Sequence, residues 1–411
     1  MSERRDLKHF DDYTPQNKAK HEILTSYYKP YLQILKGHAQ RFHFIDAFAG
    51  PGQYANSNPG SPLLALNVMA EVGILGRSTI SCVENQPEFA EQLTLNLTTS
   101  PHKASLLQPV TVHNGAFHTF VDEILGRSIY TVPGKTATFA FVDPCGVSGV
   151  RLKDLTRLLK LDFGEVLLLF NSDGVNRLLG GIDQGTHDNR ILIDLFGTEE
   201  RLELVRRRIQ KKPSERELVI LEEFTAALKA DSGAGYFLRF RFKAKDSDRS
   251  SHYLIHCSNN PLAFKLMKNV MWTVGKSDQD PYGRLEFLSD HERGTSLDLF
   301  RVDLEGPKTE ILARLRKGHC RVSEITDAWV CRPADNFSDK VYKQLLIDLE
   351  RNGQILVYDK QNLMPKPAAQ RKPRLGKPTL ADDYWLRQTD SPTSSATRPS
   401  TPTRTPPPAP A

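Results

Sequence analysis

Five short apolar runs alternate with helical patterns between residues 41 and 171, and this alternation leaves few folds open to the chain. The runs are rich in β-branched and aromatic residues, whereas apolar residues recur at helical spacing in the segments between them. Strands connected by helical crossovers form a parallel, doubly wound sheet with helices on both faces. The predicted strands cover residues 41–48, 79–84, 110–115, 138–143 and 165–171, and the predicted helices cover 61–72, 86–98, 117–126 and 152–160.

The segments on either side of these runs extend the same plan. An amphipathic helix is predicted between Thr14 and about Gly37, and a helical insertion at about 188–230 follows the fifth strand. Two further strands, at 235–244 and 252–258, are joined by a polar turn, as in an antiparallel pair. Five parallel strands and a late hairpin resemble the plan of an α/β, class I S-adenosylmethionine (SAM) methyltransferase-type Rossmann fold.

The C-terminal part divides into a second folded segment and a tail. Residues 306–361 contain three helical patterns and then an apolar run, an order that resembles a winged helix. The third helix mixes Lys340, Lys343 and Arg351 with three acidic residues, which favours a packing role over DNA recognition. From about residue 365 the chain is rich in Pro, Ser, Thr and basic residues, a composition typical of disorder. The predicted domains are 1–303, 304–364 as a winged-helix-like domain, and the disordered tail 365–411.

Charge and cysteine content restrict the partners and the compartment. The net charge is +6, but eight Lys/Arg and three Asp from Lys366 onward place most of that excess in the tail. A nucleic acid would therefore bind the body at a local patch or with help from the tail. The five cysteines, which form no CxxC pair, predict a reduced protein without a metal site. Because the N-terminus is charged and no apolar run reaches about 20 residues, we expect a cytoplasmic protein with no membrane span.

The first predicted strand ends in a glycine loop, Asp46-Ala-Phe-Ala-Gly-Pro-Gly52. Two glycines let the backbone pass close to a ligand, and with Ala55 they also fit the dinucleotide fingerprint GxGxxA. That fingerprint needs its helix to begin within the motif, whereas here the helix begins at Ser61-Pro62, a good N-cap and first helical residue. The acid also precedes the glycines, where a methyltransferase needs it to meet the cationic aminoacyl end of SAM. The loop therefore predicts SAM binding by Asp46, Phe48, Gly50 and Gly52.

Two polar residues end the next two predicted strands. Glu84 ends the second strand, where a carboxylate can accept both ribose hydroxyls of a nucleoside cofactor. The alternative is an ordinary acid at an exposed strand end. Asn114 ends the third strand, where it can hydrogen-bond an adenine edge or simply form a turn before Gly115. We include both residues in the predicted cofactor site.

The fourth and fifth strands end in the candidate catalytic and substrate residues. Asp143-Pro144-Cys145-Gly146 begins like the [D/N]PP[Y/F] motif of methyltransferases that act on exocyclic amines. In that motif the acid or amide and a backbone carbonyl accept the target NH2, and the aromatic ring stacks on a flipped base. Because Cys145-Gly146 replaces the Pro-aromatic pair, base stacking must come from elsewhere or the substrate is not a base. After the fifth strand, Asn171 and Arg177 are candidate substrate contacts, with a helix-surface charge as the alternative for Arg177.

The motifs FIDAFAGPG, NPGSPLLAL, FVDPCG and LMKNVMW, in this order, resemble those of the three-Cys-motif partner proteins, TcmP. The resemblance extends to about residue 360. It implies a SAM-dependent methyltransferase fold and a partner protein with a radical-SAM-like three-cysteine motif. The family usually has Phe at the position of Cys145, so this chain departs from it there.

A more distant likeness is to the ribosomal-RNA adenine-N6 methyltransferases, which share a D-x-x-A-G-x-G loop and a PGSP helix start. That comparison implies that Asp46, Gly50 and Gly52 hold SAM and that Asp143 receives the target amine. We therefore predict SAM-dependent methylation of an amino nitrogen, with RNA or DNA as the first-choice substrate. The alternative is a non-catalytic SAM- or nucleotide-binding partner of a radical-SAM-like protein, and an NAD-dependent enzyme is the third reading.

Overall fold

The computed structural model describes residues 13–129, 135–184, 188–211, 215–243, 250–275, 285–287, 304–332, 337–359, 364–371, 373 and 379–389. By its internal contacts the chain divides into two compact units. The first comprises Met1–Arg301 with Val330–Asp339, and the second comprises Val302–Trp329 with Lys340–Ala411. The first unit therefore includes a ten-residue segment that the sequence patterns assigned to the C-terminal domain. Among the described residues of that segment, Val330 is held in the first unit by a hydrogen bond of 2.9 Å from the fully buried Lys268 to its carbonyl.

An eight-stranded sheet forms the centre of the first unit. Its strands are β1 (Arg41–Asp46), β2 (Ser78–Glu84), β3 (Thr111–Asn114), β4 (Thr136–Val142), β5 (Glu165–Phe170), β6 (Tyr236–Lys243), β7 (Ser250–Ser258) and β8 (Glu286–Phe287). Their order is β3-β2-β1-β4-β5-β7-β6-β8. The first five strands run parallel, and β7 runs antiparallel to both β5 and β6. The predicted class I methyltransferase-type Rossmann sheet is confirmed, and β8 extends it by a strand too short for a sequence pattern to reveal.

Helices cover both faces of this sheet. They are α1 (Pro15–Leu35), α2 (Ser61–Val72), α3 (Pro87–Thr99), α4 (Phe117–Ile129), α5 (Leu152–Leu159), α6 (Ser172–Asp183), α7 (Arg190–Phe196), α8 (Glu199–Lys211), α9 (Arg216–Ser232) and α10 (Pro261–Val274). One apolar layer packs α1, α2, α3 and α10 on the sheet, and the other packs α4 to α9 on the opposite face. Successive side chains of a strand point to opposite faces, so Phe44 joins the first layer and Ile45 the second.

The carboxyl ends of the parallel strands meet at one edge of the sheet. Asp46 lies opposite Cys82 on one side and Phe141 on the other, and Glu84 lies opposite Asn114. Because β1, β2, β3 and β4 are parallel and end at this edge, the loops that follow these strands lie close together. Ligands bind at this edge in doubly wound sheets, because the loops there leave a crevice where the strand order reverses.

The second unit contains three helices and a small antiparallel sheet. The helices are α11 (Glu305–Arg316), α12 (Val322–Val330) and α13 (Asp339–Arg351), and the strands are β9 (Cys320–Arg321), β10 (Ile355–Tyr358) and β11 (Trp385–Gln388). The sheet order is β10-β11-β9, so the last strand lies in the middle. The predicted start of disorder at residue 365 is therefore wrong. The Pro/Ser/Thr composition of the whole tail concealed the short run Tyr384-Trp385-Leu386, whose leucine is fully buried; residues 390–411 of the predicted tail lie outside the described residues.

Within the described residues, the helices include none that is both long enough and apolar enough to cross a membrane.

Candidate active site

A cleft of about 420 Å³ opens at the carboxyl edge of the sheet. Its walls come from the loops that follow β1, β2, β3 and β4, from residues at the ends of the adjoining strand and helices, and from one residue of α1. They are formed by His21, Ala47, Phe48, Ala49, Gly52, Gln53, Tyr54, Gly60, Ser61, Glu84, Asn85, Gln86, Phe89, Gly115, Ala116, Phe117, His118, Asp143, Cys145, Gly146, Ser148 and Gly149. Phe48, Gly52, Glu84 and Asp143 are the predicted site residues that line it.

The glycine loop has a backbone that only glycine adopts without strain. Gly50 and Gly52 have φ angles of 58° and 77°, in the left-handed region. A Cβ on Gly52 would lie 2.6 Å from Cδ1 of Leu93. The amide of Gly60 donates to the Gly52 carbonyl at 2.8 Å, which closes the following segment into a loop. The backbone of this loop therefore reaches the cleft wall, and α2 begins where the loop closes.

Asp46 has a different position from the one that the sequence suggested. It is fully buried and lies beneath the loop, where the Ser61 hydroxyl donates to Oδ2 at 2.6 Å and the Phe48 amide to Oδ1 at 3.3 Å. Burial, which outweighs these two hydrogen bonds, raises the pKa of Asp46 to about 7. Asp46 therefore orders the glycine loop through these two hydrogen bonds and does not line the cleft. Ser61 was predicted to be the N-cap of α2, but Gly60 occupies that position because the Ser61 side chain binds Asp46.

Glu84 ties two loops together at the cleft wall. Its Oε2 accepts a hydrogen bond of 2.9 Å from the Gly50 amide, and its Oε1 accepts one of 2.7 Å from the Gln86 amide. The residue is buried yet still lines the cleft. An ionised carboxylate can accept about four hydrogen bonds, so these two amides are compatible with ribose hydroxyls on the same group. Glu84 thus orders the glycine loop and lines the cleft, and its role in ribose recognition stays a prediction.

Asn114 does not line this cleft, contrary to its predicted place in the cofactor site. Its side chain is exposed and donates to the carbonyls of Glu84 at 3.0 Å and Asn85 at 3.3 Å. It has the turn-forming role that was the alternative reading. The cleft wall at this strand end is formed instead by the four residues that follow Asn114, beginning with Gly115 at a φ of 146°. This φ of Gly115 is one that other residues rarely adopt, and it lets the chain turn immediately after the strand.

Asp143 lines the cleft and pairs with a residue that the motifs did not reveal. The Lys20 ammonium lies 2.6 Å from Oδ2 of Asp143, and the side chains are 6% and 17% exposed. Lys20 belongs to α1, and 123 positions separate the two residues in the chain. In the sequence Lys20 is one lysine among several on an amphipathic helix, so only the tertiary fold reveals the pair.

Three aromatic side chains gather beside this ion pair. The Tyr54 ring lies 4.9 Å from that of Tyr13 and 5.9 Å from that of His21, and His21 Nδ1 lies 3.1 Å from the Tyr13 hydroxyl. Burial, assisted by the nearby charge of Lys20, lowers the pKa of His21 to about 4. Burial likewise raises the pKa of Tyr54. His21 and Tyr54, the two of these three rings that line the cleft, are therefore uncharged at neutral pH.

The remaining predicted residues lie outside the cleft wall. Pro144 is buried behind the loop. Asn171 caps α6, where its Oδ1 accepts a hydrogen bond of 2.7 Å from the Gly174 amide. Arg177 is exposed on the same helix. Asn171 thus has the N-cap role that short polar residues commonly take, and Arg177 is a charge on the helix surface, as its alternative reading held. Among the described residues, no group of three or more His, Cys, Asp or Glu side chains is arranged to hold a metal ion.

No protein-family model matches this sequence, and no curated protein matches it either. The resemblance to three-Cys-motif partner proteins therefore stays a prediction. Among solved structures, a Legionella pneumophila protein of family DUF519 is similar at 12% identity, over 61% of this chain and 91% of that one, with a TM-score of 0.36. The SAM-bound O-methyltransferase TomG of Streptomyces achromogenes is similar at 14% identity, over 57% and 79%, with a TM-score of 0.30. An O-methyltransferase of Bacillus cereus in complex with S-adenosylhomocysteine is similar at 13% identity, over 62% and 86%, also at 0.30. Scores this low carry no argument about activity, so the fold assignment rests on the strand order.

Proposed function

We propose that this protein is a SAM-dependent methyltransferase that acts on an amino nitrogen in nucleic acid. The observation that carries the proposal is the arrangement of the cleft. The glycine loop and Glu84 form part of its wall, and Asp143, paired with Lys20, lines the same cleft. A nucleoside cofactor and an acceptor nitrogen would therefore share one crevice at the carboxyl edge of the sheet.

The described residues around the glycine loop and Glu84 fit SAM. Glu84 would accept the ribose hydroxyls while its loop amides hold the carboxylate in place. The aromatic rings of Phe89 and Phe117 would contact the adenine, and the backbone at Gly52 allows the aminoacyl end to approach closely. When bound, SAM supplies a methyl group on a sulfonium sulfur, and its transfer leaves S-adenosylhomocysteine.

Asp143 would orient the acceptor. Its carboxylate accepts hydrogen bonds, so it can bind the hydrogens of an amino group and direct the nitrogen lone pair toward the methyl group. The ion pair with Lys20 fixes the direction of that carboxylate. The amine loses one proton after methylation, and Asp143 can accept that proton or pass it to water. Rate enhancement by this route comes from proximity and orientation and needs no strong base.

A second candidate function is a non-catalytic SAM- or nucleotide-binding partner of a radical-SAM-like, three-Cys-motif protein. One observation favours it specifically, because Oδ2 of Asp143 is already bound by Lys20 at 2.6 Å. In addition, a Cβ on Gly146 would meet nothing within 4 Å, so space stands open where the amine-specific motif has its aromatic ring.

For the second unit, we propose a winged-helix-like packing module. The three helices and the strand β10 follow one another as in the sequence pattern that resembles a winged helix, and the short strands β9 and β11 complete a small sheet. On α13 two of the basic side chains have acidic partners within the unit, since Lys343 pairs with Asp382 at 2.8 Å and Arg351 with Asp348 at 3.0 Å. A helix whose cations are paired in this way offers little attraction to phosphates.

The test of the enzymatic proposal is a transfer assay with labelled SAM. Purified protein is incubated with total nucleic acid, a protein fraction and a small-molecule fraction from cells, and the assay is repeated with Asp143→Ala. Asp162→Ala is the matched control, because Asp162 is exposed in the loop before β5 and does not line the cleft. We expect label in nucleic acid with the wild type and the control, and its loss with Asp143→Ala.

Other outcomes separate the two candidates. Label in the protein or small-molecule fraction would overturn the nucleic-acid acceptor. SAM binding measured by calorimetry, without transfer to any fraction, would overturn the enzyme and support the partner role. A preference for NAD over SAM would overturn both.

A further inference from the structure

Tyr54 and His21 form an aromatic wall of the cleft, which Asp143 also lines. The two ring centroids are 5.9 Å apart and the ring planes meet at 66°. Tyr13 packs behind both rings, and its hydroxyl lies 3.1 Å from His21 Nδ1. The cofactor-binding part of the proposed function uses neither Tyr54 nor His21. Their position on the wall therefore bears on the acceptor, the part of the reaction that the sequence motifs left open.

The loop that holds Tyr54 is ordered by its own backbone. The Tyr54 amide donates to the Asn58 carbonyl at 2.9 Å, and the Ser57 amide donates to the Tyr54 carbonyl at the same distance. Gln53 and Pro59 form a β-bridge at the base of the loop. Tyr54 itself is only 7% exposed. Because the ring is already fixed, a ligand that packs on it loses little additional side-chain freedom.

Because the two rings of this wall carry no charge, the wall favours an uncharged acceptor over an anionic one. Both rings are neutral at pH 7, since the pKa of His21 is lowered to about 4 and the pKa of Tyr54 is raised, in each case mainly by burial. The neighbouring cation, Lys20, is bound to Asp143 and does not line the cleft. A phosphate or a carboxylate would find no charge on this wall to pair with, whereas a flat uncharged ring can stack on it.

The wall also compensates for the missing aromatic residue of the amine-specific motif. At Gly146, where that motif has its ring, a Cβ would meet no atom within 4 Å. A planar acceptor near Asp143 therefore has open space at the Gly146 side and an aromatic surface at Tyr54 and His21. This combination of a stacking surface with a hydrogen-bond acceptor is what a nucleobase carrying an exocyclic amine requires.

We infer that Tyr54 forms the stacking surface for an unpaired nucleobase whose exocyclic amine binds Asp143, with the inclined ring of His21 at the edge of that base, so that the protein acts on single-stranded or flipped-out bases. This inference rests on the proposed function and names its substrate class. A paired base could not place its ring in such a cleft, because its faces and its amine are engaged within the duplex. Tyr54 and His21 are thus specificity-determining residues, distinct from the groups that hold SAM.

The test compares two single-stranded DNA probes of equal length and charge. One contains a single adenine among abasic spacers, and the other contains only spacers; both carry fluorescein for anisotropy measurements. Protein saturated with S-adenosylhomocysteine is titrated with each probe, and calorimetry measures the S-adenosylhomocysteine affinity of every variant beforehand. We expect the adenine probe to bind about tenfold more tightly, within the range of stacking on aromatic side chains. Tyr54→Phe should keep this preference, whereas Tyr54→Leu, which keeps apolar bulk without a ring, should abolish it.

Each outcome distinguishes this inference from the proposed function. If wild-type protein does not bind S-adenosylhomocysteine, the proposed function fails and the inference fails with it. If the loaded wild type binds both probes equally, only the inference is overturned. The same holds if Tyr54→Leu retains the preference for adenine. Should Tyr54→Leu fail to fold, His21→Leu serves as the second variant, with a partial loss of the preference expected from removal of one of the two rings.

Discussion

The Lys20 ammonium lies 2.6 Å from Oδ2 of Asp143 and joins the first helix to the residue that follows the fourth strand. Both side chains are mostly buried, at 6% and 17% exposure. At such burial an ion pair contributes little net stability over an apolar pair, but the loss of one partner leaves the other charge poorly solvated. The pair therefore makes the position of α1 and the direction of the Asp143 carboxylate depend on each other.

Replacement of Lys20 by Met should destabilise the protein by about 3 kcal/mol, because Asp143 then lacks its cation in a mostly buried position. Lys20→Met should also lower methyl transfer while leaving SAM affinity unchanged. The measurement is a double-mutant cycle of urea unfolding with Lys20→Met, Asp143→Asn and both together. The double variant should lose less stability than the sum of the single losses. Strict additivity would show that the two groups do not interact in solution.

The strands, the glycine loop and Glu84 could be predicted because local patterns determine them. Hydrophobic periodicity marks each strand, and a polar residue at its end lies at the carboxyl edge by geometry alone. Lys20, His21 and Tyr54 could not be found in this way. Two of them lie on the N-terminal helix, where they look like ordinary residues of an amphipathic pattern, and packing of that helix on the sheet brings them to the cleft.

Asp46 should make stability depend on pH, and Asp46→Asn should remove that dependence. The pKa of Asp46 is about 7 in the folded protein and near 3.8 when the side chain is exposed. Between these values the folded state binds one more proton than the unfolded state, so the free energy of unfolding falls as pH rises. The contribution is complete below about pH 4 and lost above about pH 7, and it amounts to a few kcal/mol.

The measurement for Asp46 is urea unfolding between about pH 5 and about pH 8, with wild type and Asp46→Asn compared at each pH. The stability of the wild type relative to the variant should decline across this range. Ser61→Ala should move the decline to higher pH, because the Ser61 hydrogen bond lowers the pKa of Asp46. A stability difference that does not change with pH would mean that Asp46 ionises at its ordinary value in the folded protein.

Glu84→Gln should weaken SAM binding, whereas Asn114→Ala should leave it nearly unchanged. Glu84 accepts hydrogen bonds from the Gly50 and Gln86 amides, and a glutamine cannot accept on both terminal atoms. The loss should be on the order of tenfold, as expected for one charge-assisted hydrogen bond. Asn114 is exposed outside the cleft wall, and its side chain binds only backbone carbonyls in the described structure. Calorimetry with SAM checks both variants, and equal losses would place Asn114 in the site after all.

Gly52→Ala should cost about 2–4 kcal/mol of stability and reduce SAM affinity, because the added Cβ is disfavoured both by the backbone conformation and by a steric clash. The φ of Gly52 is 77°, and the methyl group would lie 2.6 Å from the Leu93 side chain. Gly146→Ala is the matched control for stability, since a Cβ there meets nothing within 4 Å. Thermal unfolding of both variants is the measurement. Similar melting temperatures for the two would show that the loop relaxes around the added methyl group.

The C-terminal strand shows where composition fails as a guide. Averaged over residues 365–411, the chain is rich in Pro, Ser and Thr, and the average conceals four residues that form the middle of a sheet. Trp385 lies opposite Tyr358 on one side and Arg321 on the other. Pairing with partners so distant in the chain leaves no periodic signal in a short segment. Disorder predicted from composition is therefore least reliable where a single short strand completes a sheet.

Leu386→Ala should destabilise the second unit by about 3 kcal/mol, because it removes a fully buried side chain from the middle strand. Leu356→Ala on the neighbouring strand β10 is the matched control, with the same chemical change at a side chain that is 44% exposed, and should cost less than about 1 kcal/mol. Hydrogen exchange of the amides in Ile355–Tyr358 reports the opening of this sheet directly. A chain ending at residue 377 should lose that protection, whereas a chain ending at residue 390 should keep it. Protection that survives the shorter truncation would mean that β10 is held by something other than β11.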